Sequence, residues 1–374
     1  MQLFATCAFG LEKLVKDEIK ALGLTILEVE DGRVTFEGEP LDLIRANLWL
    51  RCADRVQIKM GSFEAKTFDE LFDAVNALPW EKYIAAQDAF PVDATSVKSA
   101  LHSEPAIQSI VKKAVVKRLQ KAHQCELLPE SSEVVYQIMV KANKDHFVVS
   151  IDSSGESLHR RGYRQRSIVA PIKETLAAAM LMLSDWTPER TLIDLFCGSG
   201  TFAVEAAMIA QNRAPGLRRN FAFEKWPWIP LNDMELACEE AIALGNPEAE
   251  FKAYSFDINA DVLEIAEENA ALAGYPQLNF KRADFRDLDF SQFENFTFIA
   301  NPPYGLRLED EESAEKLYRE LGQKFRQAKN CSLFLITSNE NFPRFFGRRA
   351  DKNRKLFNGK IRCYLFCIMS NKVV

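Results

Sequence analysis

The residues most able to do chemistry in this 374-residue sequence are Asn301-Pro302-Pro303-Tyr304, directly after the apolar run Phe296–Ala300. Two prolines fix φ and remove donors, so the tetrapeptide is stiff and ends the strand before it. The Asn301 side-chain oxygen and the Pro302 carbonyl are then two acceptors on one short, rigid piece of backbone. Such a pair suits the exocyclic amine of a nucleobase, a poor nucleophile because its lone pair is delocalised into the ring. Accepting both N–H groups draws the nitrogen toward tetrahedral geometry and aims its lone pair at an electrophilic methyl. Orientation of this kind supplies rate without a strong base. Tyr304 can stack on a base flipped out of its helix or loop. A plain strand-ending Pro-Pro turn is the structural alternative.

A second constellation is Asp194-Leu195-Phe196-Cys197-Gly198-Ser199-Gly200-Thr201. Gly198 and Gly200 allow a tight turn and close approach of backbone to a ligand. The loop can aim amide N–H groups at a carboxylate such as that of methionine, with Asp194 and Thr201 at its two ends. Ala203 also completes a Gly-x-Gly-x-x-Ala dinucleotide fingerprint, so an NAD(P)-dependent oxidoreductase is a competing reading. That reading needs an acid roughly 20 residues further on. Glu224 stands near there, but Trp226-Pro227-Trp228-Ile229-Pro230 follows, which starts no helix. Asp257 is the better acid, after the apolar Phe251–Phe256 and before a helical pattern, where it can accept both hydroxyls of a ribose. One strand further, Asp284 can accept from an adenine amine while Phe285 covers the ring; Asp284 also reads as a simple turn acid.

These residues need a frame to hold them. From Ile172 onward the pattern alternates: helix 173–183, strand 191–196, helix 201–210, strand 251–256, helix 260–273, strands 278–281, 296–300 and 332–337, then a terminal hairpin or strand at 359–369. Alternation on this scale predicts an α/β fold with a doubly wound, Rossmann-like, mostly parallel sheet. The first part reads differently. Strand 2–5, an amphipathic helix 11–22, a hairpin turned at Asp31-Gly32 and a helix 41–50 predict a small α+β layer. A further unit holds helices at 68–78 and 105–122, an apolar stretch at 90–97 and a hairpin of 134–140 with 146–151.

Composition bounds the partners. With 47% hydrophobic and 27% charged residues the chain is an ordinary globular one. No apolar run is long enough to span a bilayer, and Glu12 and Asp17 interrupt the stretch that might mimic a secretory signal. The eight scattered cysteines form no C-x-x-C pair, so reduced thiols in a cytoplasmic protein, with no metal, are expected. The net charge of -6 does not advertise a nucleic-acid binder, but basic residues are concentrated in two places. The helix 105–122 carries Lys112, Lys113, Lys117, Arg118 and Lys121 without an acid, which is either a solvated face or an RNA contact. Leu158-His159-Arg160-Arg161-Gly162-Tyr163-Arg164-Gln165-Arg166 is either a charged linker or a phosphate clamp with aromatic stacking. Its position before the α/β half favours the clamp, with Arg160, Arg161 and Arg164 as candidate contacts.

The tetrapeptide with the 194–201 loop resembles the amino-methyltransferase branch of the class I methyltransferases. Leu158–Arg164 and Ala170-Pro171-Ile172-Lys173-Glu174 resemble RNA methylases that carry an N-terminal THUMP domain, as do Ala214-Pro215-Gly216-Leu217-Arg218-Arg219 and the tryptophan-rich segment after it. The likeness extends over nearly the whole chain. It is nearest to the guanine-N2 methylase module of the bacterial 23S rRNA enzymes, without a second fused methylase. One departure is Leu195, where many relatives have proline after the aspartate; the glycines are intact. The resemblance implies S-adenosylmethionine as cofactor, RNA (23S rRNA) as partner and guanine N2 as target. The implied domains are a ferredoxin-like layer at 1–55, THUMP at 56–157, a basic linker at 158–170 and the catalytic domain at 171–374. In this frame Asp194, Gly198, Gly200, Thr201, Asp257, Asp284 and Phe285 hold the cofactor, and Asn301, Pro302, Pro303 and Tyr304 hold the amine. The rivals are a DNA or RNA adenine-N6 methyltransferase, which shares the tetrapeptide; the oxidoreductase, which has no use for it; and a non-catalytic RNA-binding factor, in which it should be broken.

Overall fold

The computed structural model describes residues 1–166, 171–304 and 308–370. Residues 167–170 of the expected linker, and 305–307 and 371–374 of the expected catalytic domain, lie outside them. Internal contacts divide the chain into two units that interleave along the sequence. The first comprises Met1–Cys7, Lys16–Leu158 and Asn220–Glu239; the second comprises Ala8–Val15, His159–Arg219 and Glu240–Val374.

The first unit is built on one seven-stranded sheet. Its strands are β1 (Gln2–Cys7), β2 (Thr25–Glu30), β3 (Arg33–Glu37), β4 (Ala53–Glu64), β5 (Val92–Val97), β6 (Ile138–Asn143) and β7 (His146–Asp152), in the order β2-β3-β1-β4-β7-β6-β5. The expected hairpin forms around Gly32, whose φ of +76 is the left-handed conformation that its turn demands. Strand β4 joins the expected ferredoxin-like layer to the expected THUMP unit. Its first residues pair with β1 on one side, and from Gln57 to Glu64 it pairs with β7 on the other.

The tryptophan-rich segment, expected in the catalytic half, packs in this first unit. Trp226 Nε1 donates to the Val135 carbonyl at 3.1 Å, and its ring stacks on Tyr136 at 4.9 Å. Trp228 stacks on Trp226 in turn and meets Tyr83 edge-on. Aromatic rings of this size bury enough apolar area to override sequence order.

The second unit carries the other seven strands. These are β8 (Leu192–Asp194), β9 (Ala253–Asp257), β10 (Asn279–Arg282), β11 (Thr297–Ala300), β12 (Ser332–Thr337), β13 (Lys352–Asn358) and β14 (Ile361–Met369), in the order β10-β9-β8-β11-β12-β14-β13. The first five named are mutually parallel, β14 runs antiparallel beside β12, and β13 pairs antiparallel with β14 at the edge. This is the doubly wound sheet expected, with the terminal hairpin now seen as two strands. The central strands β8, β11 and β12 are buried along their whole length, which explains why apolar residues dominate them. Phe298, Phe325, Phe342 and Phe366 fill the core on one side of the sheet. The helix Ala260–Ala273 begins where the Asn259 side chain accepts from Asp261 N, and it ends at left-handed Gly274. No helix among the described residues is long and apolar enough to cross a membrane.

Candidate active site

Strand order reverses between β8 and β11, and a doubly wound sheet opens a crevice at such a point, beyond the carboxyl ends of its strands. A cavity of about 490 Å³ lies there, within the second unit. Each strand end contributes to its wall: Cys197-Gly198-Ser199 after β8, Asp257 and Ile258 at β9, Asp284-Phe285-Arg286 after β10, and Asn301–Tyr304 after β11. The sequence motifs separated by more than a hundred positions therefore face one space.

The glycine loop and β9 are tied together. Gly198 N donates to Asp257 Oδ2 at 3.0 Å, and Asn259 N donates to Oδ1 at 3.0 Å. Asp257 thus lines the cavity while holding the loop in place. Asp194 stands behind the loop. Its Oδ1 accepts from Phe196 N at 3.1 Å, and its fully buried Oδ2 has no hydrogen-bond partner. Burial pushes this carboxyl up to about 8, with the nearby Asp257 adding to the shift.

Gly200 does not line the cavity. A Cβ there would come within 2.9 Å of the Phe280 ring and 3.1 Å of Ala266, at a φ of +79. Its lack of a side chain serves the packing of the helix Thr201–Ala210 against its neighbours rather than contact with a ligand. Thr201 does line the cavity, and its Oγ1 accepts from Arg164 Nη2 at 2.5 Å.

Asp284 lines the wall but is already engaged: Arg286 donates to it from its backbone N at 2.9 Å and from Nη1 at 2.7 Å. Arg286 also bonds Glu320 at 2.6 Å. Phe285 lines the same wall and is otherwise buried, tilted against Phe196 at 5.5 Å. In the tetrapeptide, Tyr304 Oη donates to Asn301 Oδ1 at 2.8 Å, and Asn358 Nδ2 lies 3.5 Å from the same hydroxyl. Burial raises the Tyr304 phenol well above its ordinary value, so it remains a protonated donor. Tyr304 is therefore anchored by its hydroxyl, and that bond fixes which face of the Asn301 amide presents oxygen.

Several lining residues escaped sequence reading. Ile258 is 63% exposed although large and apolar, a signal visible only once its position at the cavity is known. Asn358 and Ile361 come from the β13–β14 hairpin, where nothing in the local pattern marks them.

The basic candidates divide. On the helix Glu104–His123, Lys112 pairs with Glu130 at 2.7 Å and sits over the Phe90 ring at 3.6 Å. Arg118 makes a two-pronged pair with Glu81. Both are used internally, whereas Lys113, Lys117 and Lys121 form one exposed row at four-residue spacing. The expected aromatic phosphate clamp at 158–166 does not form. Tyr163 is 1% exposed and packs in a cluster with Val204, Ala207 and Tyr275. Arg161 is 3% exposed and pairs with Glu205 at 3.3 Å; Arg164 pairs with Glu174 at 3.4 Å. Pairing with buried acids withdraws both guanidinium groups from solvent. Of the three arginines proposed as contacts, Arg160 is the exposed one.

Comparison with known proteins agrees with this layout. Residues 161–366 match the RMKL-like methyltransferase domain (UPF0020), residues 2–57 the RlmL ferredoxin-like domain and residues 65–152 the THUMP domain. The chain is 43% identical to the Bacillus subtilis (strain 168) protein named "Putative RNA methyltransferase YpsC", covering 96% of this chain and 94% of that protein. It is 34% identical to the ribosomal RNA large subunit methyltransferase K/L of Syntrophotalea carbinolica, covering 98% of this chain but 53% of that one. The chain thus spans about half the length of its K/L relative. Among solved structures, the methyltransferase SMU.472, described as "putative" and complexed with SAH, superposes with a TM-score of 0.93 at 42% identity, over 100% of this chain and 99% of that one. A "predicted N6-adenine-specific DNA methylase" from Listeria monocytogenes superposes with a TM-score of 0.92 at 42% identity, over 99% of this chain and 96% of that one.

Proposed function

The chain belongs to the RMKL-like methyltransferase family, with ferredoxin-like and THUMP domains ahead of the catalytic one, and from that premise we propose that it methylates guanine N2 in 23S rRNA. The observation that carries the chemistry is that the Asn301–Tyr304 wall and the Gly198–Asp257 wall face one cavity. RNA as substrate is supported by the THUMP match, by the names of the relatives and by the exposed lysine row 113, 117 and 121. Guanine N2 rests on likeness to the K/L enzymes.

The family's cofactor, S-adenosylmethionine, fits the residues present. The partnerless Oδ2 of Asp194 suits the α-ammonium of the methionine part. Asp257 retains lone pairs toward the cavity for ribose hydroxyls, and Ile258 and Phe285 offer apolar cover for a ring. When bound, it supplies a methyl group on a positively charged sulfur. The chain's own part is orientation. An amide oxygen has two lone pairs, so Asn301 Oδ1 can accept from Tyr304 and from the substrate amine together. With the cofactor bound, the Pro302 carbonyl would take the second N–H and leave the nitrogen lone pair free for the methyl.

Two measurements check this. Nucleoside mass spectrometry of 23S rRNA treated with the enzyme and labelled S-adenosylmethionine should show label in N2-methylguanosine. Label in N6-methyladenosine would keep the mechanism and overturn the base. Separately, Asp257→Ala should weaken cofactor binding by about 1.5–3 kcal/mol, the value of a charge-assisted hydrogen bond. The variant also frees Gly198 N–H, so Asp257→Asn, which keeps one acceptor, should fall between the two. Unchanged affinity by calorimetry would move the ribose site away from β9.

A further inference from the structure

At the edge of the second unit's sheet, the strand β13 carries a surface that the catalytic reading leaves unused. Residues Phe9 and Gly10 lie along it. Arg354 Nη1 donates to the Gly10 carbonyl at 3.1 Å, and a Cβ on Gly10 would sit 2.9 Å from the Lys355 carbonyl, so the approach is close. Phe9 is 45% exposed and meets Phe357 edge-to-face at 6.2 Å and 84°. Lys355 Nζ lies 5.7 Å from the centre of the Phe357 ring. Lys352, Lys355 and Lys360 are exposed on the same hairpin. The acids nearby are engaged: Glu12 accepts from Gly10 N, Asp351 from Met369 N, and Glu340 from Arg362.

The next residue after Phe357 is Asn358, which lines the catalytic cavity and reaches the Tyr304 hydroxyl. Lys355 and Phe357 share one face of the strand, and Asn358, the next residue, turns to the opposite face and the cavity. We infer that Phe9 and Phe357, with Lys355 and Lys360, form a platform for single-stranded RNA nucleotides flanking the target base. The inference rests on the functional reading above for the target base itself, but not on which base it is. A nucleotide that has been flipped out leaves its neighbours unstacked, and an exposed aromatic with lysines beside it offers them both stacking and phosphate contact. Charge complementarity names the occupant as a polyanion, and the rings favour one with unpaired bases. An edge-strand cover of purely structural use would need neither the half-exposed Phe9 nor cations on the turn.

The test uses the full chain and a fluorescein-labelled oligouridine dodecamer at low salt. Phe9→Leu and Phe357→Leu keep apolar volume but remove the ring, and each should weaken binding about thirtyfold, the middle of the range for one lost base stack. Phe9→Tyr should bind like the parent. Lys355→Ala with Lys360→Ala should flatten the dependence of affinity on salt. Thermal melts unchanged from the parent show that the variants fold. Phe9→Leu and Phe357→Leu binding within twofold of the parent overturns the platform, as does failure of the parent chain to bind the dodecamer. Tighter binding of oligothymidine than oligouridine overturns RNA as its occupant. The nucleoside product of the parent enzyme reads the function separately. A product other than N2-methylguanosine, with binding still lost in Phe9→Leu, would sink the functional reading and leave the platform standing.

Discussion

Asn301→Ala is expected to lower the rate of methyl transfer by at least about a hundredfold, the scale of losing one preorganised polar group at a reacting centre. The amide oxygen is an acceptor whose orientation is set before substrate arrives, because Tyr304 Oη donates to it at 2.8 Å. Alanine removes the acceptor and leaves the amine able to keep its lone pair in the ring. Cofactor affinity should change far less, since Asp257 and Gly198 hold their places through bonds that do not involve Asn301. Single-turnover rates with saturating cofactor, set beside calorimetric cofactor affinity, separate the two effects. Tyr304→Phe provides a graded comparison: it keeps the ring and loses the hydroxyl that orients the amide, so its loss should be smaller. Full activity in Asn301→Ala would remove the tetrapeptide from the chemistry.

Glu205→Ala should be the most destabilising single substitution in the basic segment's neighbourhood. Glu205 is fully buried on the helix Thr201–Ala210 and pairs with Arg161, which is also buried. Burial opposes the charge of Arg161, and Glu205, with Glu174 adding to it, outweighs that cost and holds the guanidinium above its ordinary pKa. Removing the acid takes from the buried cation the carboxylate bonded to it, which costs about 3–5 kcal/mol. For a unit of this size that corresponds to a fall in Tm of about 6–20 °C. Replacing both partners, as Arg161→Met with Glu205→Leu, should recover most of the loss. Melting temperatures of the three proteins decide the matter. If Glu205→Ala melts with the parent, the pair is not what holds the segment down, and Arg161 returns to the set of RNA contacts.

That second case shows where sequence reading reaches its limit. The run of arginines around Tyr163 looks like a phosphate clamp because charge type and order are all that a sequence displays. What decides its role is whether acids from elsewhere arrive to pair it, and Glu205 and Glu174 do. Local signals were reliable where they were local. The helix Ala260–Ala273 was legible because it carries its own start and stop in Asn259 and Gly274. The fully buried β12 showed itself in the apolar run 333–336. By contrast β4, paired on both sides and mixing Arg55, Gln57 and Lys59 with apolar residues, follows no simple period and went unseen. The cavity wall was legible at Asn301–Tyr304, Gly198 and Asp257 because each sits at or directly after the end of a strand of a recognisable alternation. Asn358 could not be found that way, since its place depends on how the terminal hairpin closes the sheet.

The seating of Ala8–Val15 in the second unit governs the order in which the protein can be made. Gly10 and Arg354, joined by a hydrogen bond, are 344 positions apart. A ribosome adding about 5–20 residues per second needs about 17–70 s to cover that interval. Throughout it the nascent chain carries Phe9 without the strand it rests on, and residues 220–239 join the first unit from far along the sequence. The second unit is therefore completed only after β13 has been made. A fragment cut at residue 158 or 166 contains neither unit whole, and a ribosome that stalls before β13 releases a chain that cannot complete its catalytic half.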